Sequence, residues 1–266
     1  MLFSQHWASF LSSGQFLKLT RAFEDPLQRT ETFVLNRGIT GRLHDTGILS
    51  FTPQSKSDTF LLISSGIHGN ETAPIEMVDQ LCQAIIKGEL EVKVNLMLII
   101  GNPAAIDFGQ RFVEQNLNRL FCGLYKKQSS FDYEVKRAEM IEKSVYQFFA
   151  AAKSIDKPKL YHLDMHTAIR TSKYQRFALC PYLDGRPLNQ DFISIFGGSG
   201  LQTLLLGNQP AGTFSYFTSH IFKANSATLE LGKVRPFGEN DSVKFLPVKT
   251  NLEKMISAQL VTKKSF

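Results

Sequence analysis

The fold of this chain is decided by one stretch, FLLISSGIHGNE, which occupies residues 60–71. Its first half is a short, uninterrupted apolar run, typical of a strand that is buried on both faces. Its second half contains two glycines, a histidine and a glutamate. It ends directly before residues 72–87, whose pattern is that of an amphipathic helix. A buried strand, a polar loop and a helix in this order predict one unit of an α/β sheet.

The same alternation continues along the chain and predicts an α/β sheet that is covered by helices on both faces. Residues 1–57 are expected to add a helix over 1–19 and short strands over 31–51 to an α/β core at 58–260, so that residues 1–266 form a single domain. The predicted strands cover residues 59–64, 92–101, 160–165, 175–180, 202–206 and 225–231, and the predicted helices cover residues 72–87, 133–153, 189–198 and 240–259.

The composition is ordinary for a globular protein, since 43% of the 266 residues are hydrophobic and 20% are charged. No apolar stretch approaches the ~20 residues needed to cross a bilayer. Residues 1–19 lack the basic start and the continuous apolar segment of an export signal. The three cysteines are scattered without metal-type spacing. We therefore expect no membrane partner and a cytoplasmic location.

The net charge of +6 allows two interpretations. The basic residues either form a solvated surface or attract a small anionic molecule. They are dispersed, and no array of aromatic and basic residues accompanies them, so no nucleic-acid partner is expected. The sequence does not indicate the oligomeric state.

Two imidazoles and one carboxylate stand at positions that suit a catalytic metal site. His68 and Glu71 lie three residues apart at the start of a predicted helix, and His166 follows the apolar run of residues 160–165. Functional loops of α/β sheets cluster at the carboxyl ends of strands, so we expect these side chains to meet. Three protein ligands with a water in the fourth position form an open catalytic zinc site. The pattern therefore predicts a hydrolase.

Two more polar residues share the strand that leads to His166. Asp164 precedes it by two residues and so lies on the same side of the strand. This carboxylate either orients the metal site from outside the ligands or serves as a cap or turn residue. His162 lies on that side as well, and we interpret it as a core or surface histidine rather than a fourth ligand.

Three further polar residues could bind negative charge on a substrate or on a developing oxyanion. They are Arg111, Asn118 and Arg119. An arginine beside a metal would stabilise the oxyanion by its fixed charge. An asparagine next to an arginine suits a bidentate grip on a carboxylate. The alternative interpretation is a solvated basic loop.

Glu230 lies near the end of the apolar run at residues 225–231. A carboxylate there costs free energy unless it is paired or functional. Burial would raise its pKa and suit it to general acid–base work on a metal-activated water. A structural salt bridge is the alternative.

Seven segments resemble the succinylglutamate desuccinylase/aspartoacylase family, a branch of the zinc carboxypeptidase-like hydrolases, and are most similar to its desuccinylases. The resemblance implies a three-layer α/β/α fold with a central mixed, largely parallel sheet. The segments are GIHGNETAP (66–74), GNP (101–103), NRLF (118–121), HLDMHTAIR (162–170), GTF (212–214), TLELGK (228–233) and PFG (236–238).

The resemblance also implies roles for the residues that match the family's site. His68, Glu71 and His166 correspond to the ligands of one zinc ion per chain. Arg111 corresponds to the arginine that polarises the scissile carbonyl, and Glu230 to the catalytic glutamate.

The remaining matches concern the substrate's carboxylates. Asn118 and Arg119 correspond to the pair that binds the α-carboxylate. Arg170 belongs to the desuccinylase-type segment, and our hypothesis is that it binds the succinyl carboxylate.

The activity implied by the resemblance is zinc-dependent hydrolysis of N-succinyl-L-glutamate to succinate and L-glutamate, in arginine catabolism by the succinyltransferase pathway. One alternative is an aspartoacylase-like or carboxypeptidase-like hydrolase of another N-acyl amino acid or peptide. Another is a zinc-binding protein without catalysis.

The chain departs from the family pattern in two ways. Asn116 stands where the family has an aspartate before the x-Asn-Arg triplet. The missing charge is expected to weaken the binding of the substrate's carboxylate by Asn118 and Arg119. The family's C-terminal β domain is expected to be absent from this chain, which ends at Phe266.

Overall fold

The computed structural model describes residues 2–23, 26–27, 30–129, 132–168 and 173–259 of the chain. Nine strands in these residues form one sheet. They are β1 (Glu31–Val34), β2 (Thr40–Asp45), β3 (Ile48–Thr52), β4 (Thr59–Ser65), β5 (Asn95–Ile100), β6 (Lys159–Ala168), β7 (Arg176–Cys180), β8 (Thr203–Leu206) and β9 (Asn225–Lys233). Their order across the sheet is β1-β2-β3-β5-β4-β6-β9-β7-β8.

The middle of the sheet is parallel, and its flanks are mostly antiparallel. Strands β5, β4, β6 and β9 run in one direction. On one side β3, β2 and β1 continue the sheet as antiparallel pairs. On the other side β7 is antiparallel to β9, and β8 is parallel to β7. The predicted mixed sheet is confirmed, whereas the single domain over residues 1–266 stays a prediction.

Eight α-helices in the described residues accompany these strands. None of them has both the length and the apolar character that a membrane crossing requires. They are α1 (Leu2–Ser13), α2 (Phe16–Ala22), α3 (Thr72–Ile86), α4 (Pro103–Asp107), α5 (Tyr133–Ala150), α6 (Gln190–Ser194), α7 (Phe214–Phe222) and α8 (Ser242–Ile256).

The side chains of β4 show why the sheet is covered on both faces. Leu61 and Ile63 pack into a hydrophobic cluster with residues of α1, α2, α3 and α8 on one face. Phe60 and Leu62 pack with residues of α5 and α7 on the other face. All four side chains are buried. Because successive residues of a strand point to opposite faces, a continuous apolar run produces three layers.

Two predicted helices differ from the structure. The single helix predicted over residues 1–19 is wrong, because Gly14 adopts a φ of +71° between α1 and α2. A Cβ on Gly14 would lie 2.6 Å from the backbone Cα of Gln83 in α3, so the break lets the chain approach that helix closely. The helix predicted over 189–198 ends at Ser194, shortly before the positive φ of Gly198.

The register of three neighbouring strands brings distant parts of the sequence together. Strands β4, β6 and β9 are parallel, so their carboxyl ends lie at the same edge of the sheet. Ser64 is in register with Asp164, and His166 is in register with Glu230. Strand β6 continues to Ala168, so His166 lies within the strand rather than after it.

Candidate active site

The loop between β4 and α3 carries two of the predicted ligands, and close packing determines its path. Gly69 lies against α4, and a Cβ there would be 2.2 Å from the backbone carbonyl carbon of Ala105. The Gly69 amide donates to the carbonyl oxygen of Arg111 at 3.1 Å. His68 and Glu71, on either side of this point, are 3% and 1% exposed. The glycine therefore lets the loop lie on α4 with both ligand candidates buried.

Three side chains converge at this point, as the sequence predicts. His68 Nδ1 lies 2.9 Å from Glu71 Oε1, and His166 Nδ1 lies 3.0 Å from Glu71 Oε2. The two Nδ1 atoms are 3.2 Å apart. Ligand atoms that bind one zinc ion at about 2.0–2.1 Å with tetrahedral angles lie about 3.3 Å from one another. The spacing of these buried donor atoms therefore fits a single metal ion.

The second nitrogen of each imidazole has a partner that fixes the ring. His68 Nε2 lies 3.0 Å from Asn116 Oδ1, and His166 Nε2 lies 3.0 Å from Asp164 Oδ2. Both Nε2 atoms face an oxygen acceptor. When either ring is neutral, as a metal ligand is, this acceptor favours the hydrogen on Nε2 and leaves Nδ1 available for the metal. The contact with His166 favours the orienting interpretation of Asp164 over a cap or turn.

A buried chain of hydrogen bonds extends from Asp164 to α7. Ser64 Oγ donates to Asp164 Oδ1 at 2.6 Å and lies 2.8 Å from His162 Nε2. His162 Nδ1 lies 2.7 Å from Thr218 Oγ1 in α7. Burial lowers the pKa of His162 to about 4, so the ring is neutral near pH 7. His162 is therefore a core histidine, as predicted. It is linked through Ser64 to Asp164, which contacts His166.

The charges around the converging atoms favour a cation. Burial would raise the pKa of Glu71, but the charge and hydrogen bonds of His166 and His68 hold it well below its usual range. Burial would lower the pKa of His166, but Asp164 and Glu71 raise it well above its ordinary value. A buried group that stabilises positive charge this strongly fits a divalent metal ion.

Glu230 lies beside the candidate metal-binding group of His68, Glu71 and His166, and one of its carboxylate oxygens has no hydrogen-bond partner among the described residues. Burial raises its pKa, and the charges of Glu71 and Asp164 raise it further against the opposing effect of His166. Its Oε2 atom is buried and has no hydrogen-bond partner among the residues that the structure describes. An unpaired oxygen does not match the alternative of a structural salt bridge. A carboxylate of this kind is suited to accept and return a proton.

Arg111 reaches the same group from the loop that follows α4. Its Nη1 atom lies 2.7 Å from Glu71 Oε1, and its side chain is 29% exposed. The guanidinium therefore contacts a buried ligand candidate and also borders solvent. This contact contradicts the interpretation of Arg111 as part of a solvated basic loop.

The predicted carboxylate-binding residues follow on the same loop. Asn118 is buried, its Nδ2 atom lies 3.5 Å from His166 Nε2, and its Oδ1 atom accepts the Phe214 amide hydrogen at 2.8 Å. Arg119 is exposed, and its Nη1 atom donates to the Asn118 carbonyl oxygen at 2.7 Å. The structure thus brings Asn118 to the group and places Arg119 at the surface next to it. Arg170 lies outside the described residues.

Asn116 makes a contact with His68 that sequence reasoning misses. Its Oδ1 atom accepts from the Asn118 amide at 3.0 Å as well as facing His68 Nε2. The contact with the Asn118 amide is typical of an asparagine that caps the turn after it. The contact with His68, 48 positions earlier, is not indicated by any local pattern in the sequence. The weaker carboxylate binding expected from its missing charge stays a prediction.

Comparison with known proteins assigns the family. The sequence model of the succinylglutamate desuccinylase/aspartoacylase catalytic domain matches residues 57–256. The chain belongs to this family. It is 42% identical over 255 residues to a succinylglutamate desuccinylase of Pseudoalteromonas atlantica, with coverage of 95% of this chain and 72% of that relative.

Solved structures agree with this family assignment. The succinylglutamate desuccinylase of Chromobacterium violaceum superposes with a TM-score of 0.87 at 33% identity, and the match covers 96% of this chain and 77% of that chain. A metallo-carboxypeptidase from Burkholderia cenocepacia gives a TM-score of 0.58 at 15% identity, covering 95% of this chain and 68% of that chain. At that identity the likeness shows the fold alone, and it confirms the predicted carboxypeptidase-like architecture.

Proposed function

We propose that this chain hydrolyses N-succinyl-L-glutamate to succinate and L-glutamate with one zinc ion bound by His68, Glu71 and His166. The convergence of two Nδ1 atoms and one carboxylate in a buried group is the observation that carries the proposal. The chain's similarity to proteins named succinylglutamate desuccinylase supports this choice of substrate.

We propose zinc as the metal for this donor set. Imidazole nitrogens combined with one carboxylate are the ligands of many catalytic zinc sites, whereas calcium and magnesium prefer oxygen ligands. Zinc, when bound, supplies Lewis-acid activation of water and of the scissile carbonyl. Asn116 and Asp164 support the proposal because they hold both imidazoles with Nδ1 toward the ion.

Glu230 is the proposed general base and then the general acid. Its Oε2 atom takes a proton from the attacking water and returns it to the nitrogen of the departing glutamate. The raised pKa of Glu230 suits both steps, because a group that titrates closer to neutral pH accepts and releases protons more readily. The in-register position opposite His166 keeps this oxygen beside the metal-binding group.

Arg111 is proposed to bind the oxygen of the scissile carbonyl. Its guanidinium is held by Glu71 through Nη1, and the remaining N–H groups are donors that a developing oxyanion can accept from. The partial exposure of the side chain leaves room for a substrate on the solvent side.

The substrate's carboxylates require further cations and donors. We assign the α-carboxylate to Asn118, which lies next to the metal-binding group, and to its neighbour Arg119. We assign the succinyl carboxylate to Arg170. The net charge of +6 would attract a substrate with three carboxylates. Because its cysteines are free, we propose the cytoplasm as the compartment.

The test is a side-by-side assay of purified protein with its zinc content measured. Succinate release from N-succinyl-L-glutamate should exceed product release from N-acetylaspartate and from a peptide, as judged by kcat/KM. A preference for another acyl amino acid would reject the substrate assignment. Stoichiometric zinc with no turnover of any of the three would indicate a binding protein instead.

A further inference from the structure

The loop that carries Arg111 is held by a carboxylate that the proposed reaction does not use. Glu134, in the first turn of α5, is completely buried. Its Oε1 atom accepts the amide hydrogen of Val113 at 2.7 Å. Its Oε2 atom accepts those of Glu114 and Gln115 at 3.1 and 3.3 Å. Three successive backbone amides therefore converge on one buried side-chain carboxyl group.

The loop holds the start of α5 in return. Glu114 Oε2 accepts the amide hydrogen of Tyr133, the first residue of the helix, at 2.6 Å. Gln115 Nε2 donates to Oδ2 of Asp132, the residue before the helix, at 2.6 Å. The first amides of a helix lack partners within the helix, and a carboxylate near them is favoured by the helix dipole. The loop and the helix start thus satisfy each other's polar groups.

A third element joins the same carboxylate. Asn102 Nδ2 donates to Glu134 Oε1 at 3.0 Å, and Asn102 Oδ1 caps α4 by accepting the Ala105 amide hydrogen. Helix α4 is also the surface on which Gly69 packs, and the Gly69 amide donates to the Arg111 carbonyl oxygen. Glu134 therefore connects α4, α5 and the Arg111 loop at one buried point.

We propose that Glu134 is a positioning residue for Arg111, which it places against Glu71 by holding the amides of residues 113–115. The inference rests on the proposed function, because Arg111 needs this placement only if it acts on a carbonyl oxygen. A neutral glutamine at position 134 has one acceptor oxygen, and its NH₂ group would face backbone donors. The substitution Glu134→Gln should therefore release part of the loop.

Glu142 provides a matched control on the same helix. It is 4% exposed, and its Oε1 atom accepts the Gly123 amide hydrogen at 3.0 Å. This carboxylate holds a later part of the connection between α4 and α5, without a contact to Arg111 or Glu134 among the described residues. We expect E134Q to lower kcat at least about tenfold with zinc content unchanged, and E142Q to change kcat by less than about twofold. Equal losses in the two variants would overturn the proposal.

A double-mutant cycle tests whether the effect acts through Arg111. In an Arg111→Ala background, E134Q should change kcat by less than about twofold, because the group that it positions is gone. The same fold-change in both backgrounds would contradict a positioning role. If E134Q does not fold, Glu114→Ala loosens the same loop from an exposed position. A decrease in kcat of at least about threefold would then support the proposal, and no change would overturn it.

Hydrogen exchange separates this inference from the proposed function. In E134Q the amides of residues 113–115 and of Gly69 should exchange at least about tenfold faster than in wild type. E142Q should accelerate the Gly123 and Cys122 amides and leave those of residues 113–115 and of Gly69 unchanged. An inactive wild type would reject the proposed function, whereas unchanged exchange at Gly69 would reject the positioning by Glu134 whatever the activity.

Discussion

Glu230 in β9 lies in register with His166 in β6, so that the proposed proton-transfer group and a metal-ligand candidate share one face at the same level of the sheet. The two strands are parallel neighbours, although these residues are separated by more than sixty positions in sequence. The placement depends on backbone pairing rather than on a mobile loop. Rigid strands are suited to hold groups at the short distances that catalysis requires.

Replacing Glu230 tests its proton-transfer role. We expect Glu230→Gln to bind zinc as wild type does, because Glu230 is not among the three converging ligands. We expect kcat to fall by about 100- to 10,000-fold, since the side chain can no longer accept a proton. Steady-state kinetics with measured zinc content checks this, with Glu239→Gln as an exposed control. Turnover close to wild type in Glu230→Gln would reject the role.

Replacing Arg111 tests the oxyanion-binding role. Arg111→Ala should lower kcat by about 100- to 1,000-fold, the usual effect of removing one donor to a developing oxyanion. Arg37→Ala is the matched control, because Arg37 is exposed and pairs with Glu91 at 3.5 Å. Exposed ion pairs contribute little, so its kcat should be unchanged. If Arg111→Ala raises only KM, the arginine binds substrate and does not stabilise the transition state.

Metal affinity should depend on Asn116 through His68. Asn116→Ala removes the acceptor of His68 Nε2 and should weaken zinc binding by about 10- to 100-fold. Asn116→Asp keeps an acceptor at that position, and its charge should strengthen the ligand, so its affinity should equal or exceed that of wild type. Competition with a zinc chelator measures both constants. Equal affinities of the alanine variant and wild type would show that the contact does not support the metal.

The pH dependence of stability should show the burial of His162. Its pKa is about 4 in the folded chain against 6.5 for an exposed histidine, so the unfolded chain takes up the proton first as pH falls. The free energy of unfolding should therefore decrease between pH 6.5 and 5, by about 2 kcal/mol from this residue. His44, with a pKa also lowered to about 4 by burial, acts in the same window.

The variant His162→Gln isolates this contribution. Urea denaturation of the metal-free protein at pH 7, 6 and 5 should give a shallower decrease for the variant than for wild type. The His44 contribution is common to both proteins and cancels in the comparison. Identical slopes would mean that His162 does not remain neutral in the folded state.

Much of the architecture follows from patterns that are local in sequence. The apolar run at residues 60–64 predicts a doubly buried strand, and β4 is one. His68, Glu71 and His166 are predicted as ligands because each follows or ends such a run, and the sheet places them together. The helix break at Gly14 is harder to predict, because it reflects close approach to α3, a contact distant in sequence.

Two other supporting residues of the site could not be predicted in the same way. Asn116 and Glu134 act through hydrogen bonds to residues that are remote in sequence or belong to a loop backbone. A glutamate is common in the first turn of a helix, because the helix dipole stabilises its charge there. Its position in the sequence therefore does not show that Glu134 is buried or that it binds a loop. The short helices α4 and α7 have too few turns for a helical period to stand out.

The most direct test is anomalous X-ray diffraction at the zinc absorption edge from crystals of the zinc-loaded protein. One strong peak is expected at about 2.0–2.2 Å from His68 Nδ1, His166 Nδ1 and a carboxylate oxygen of Glu71, with a further coordination position open to solvent. No peak at this site after zinc loading, or an ion held by other side chains, would contradict the account.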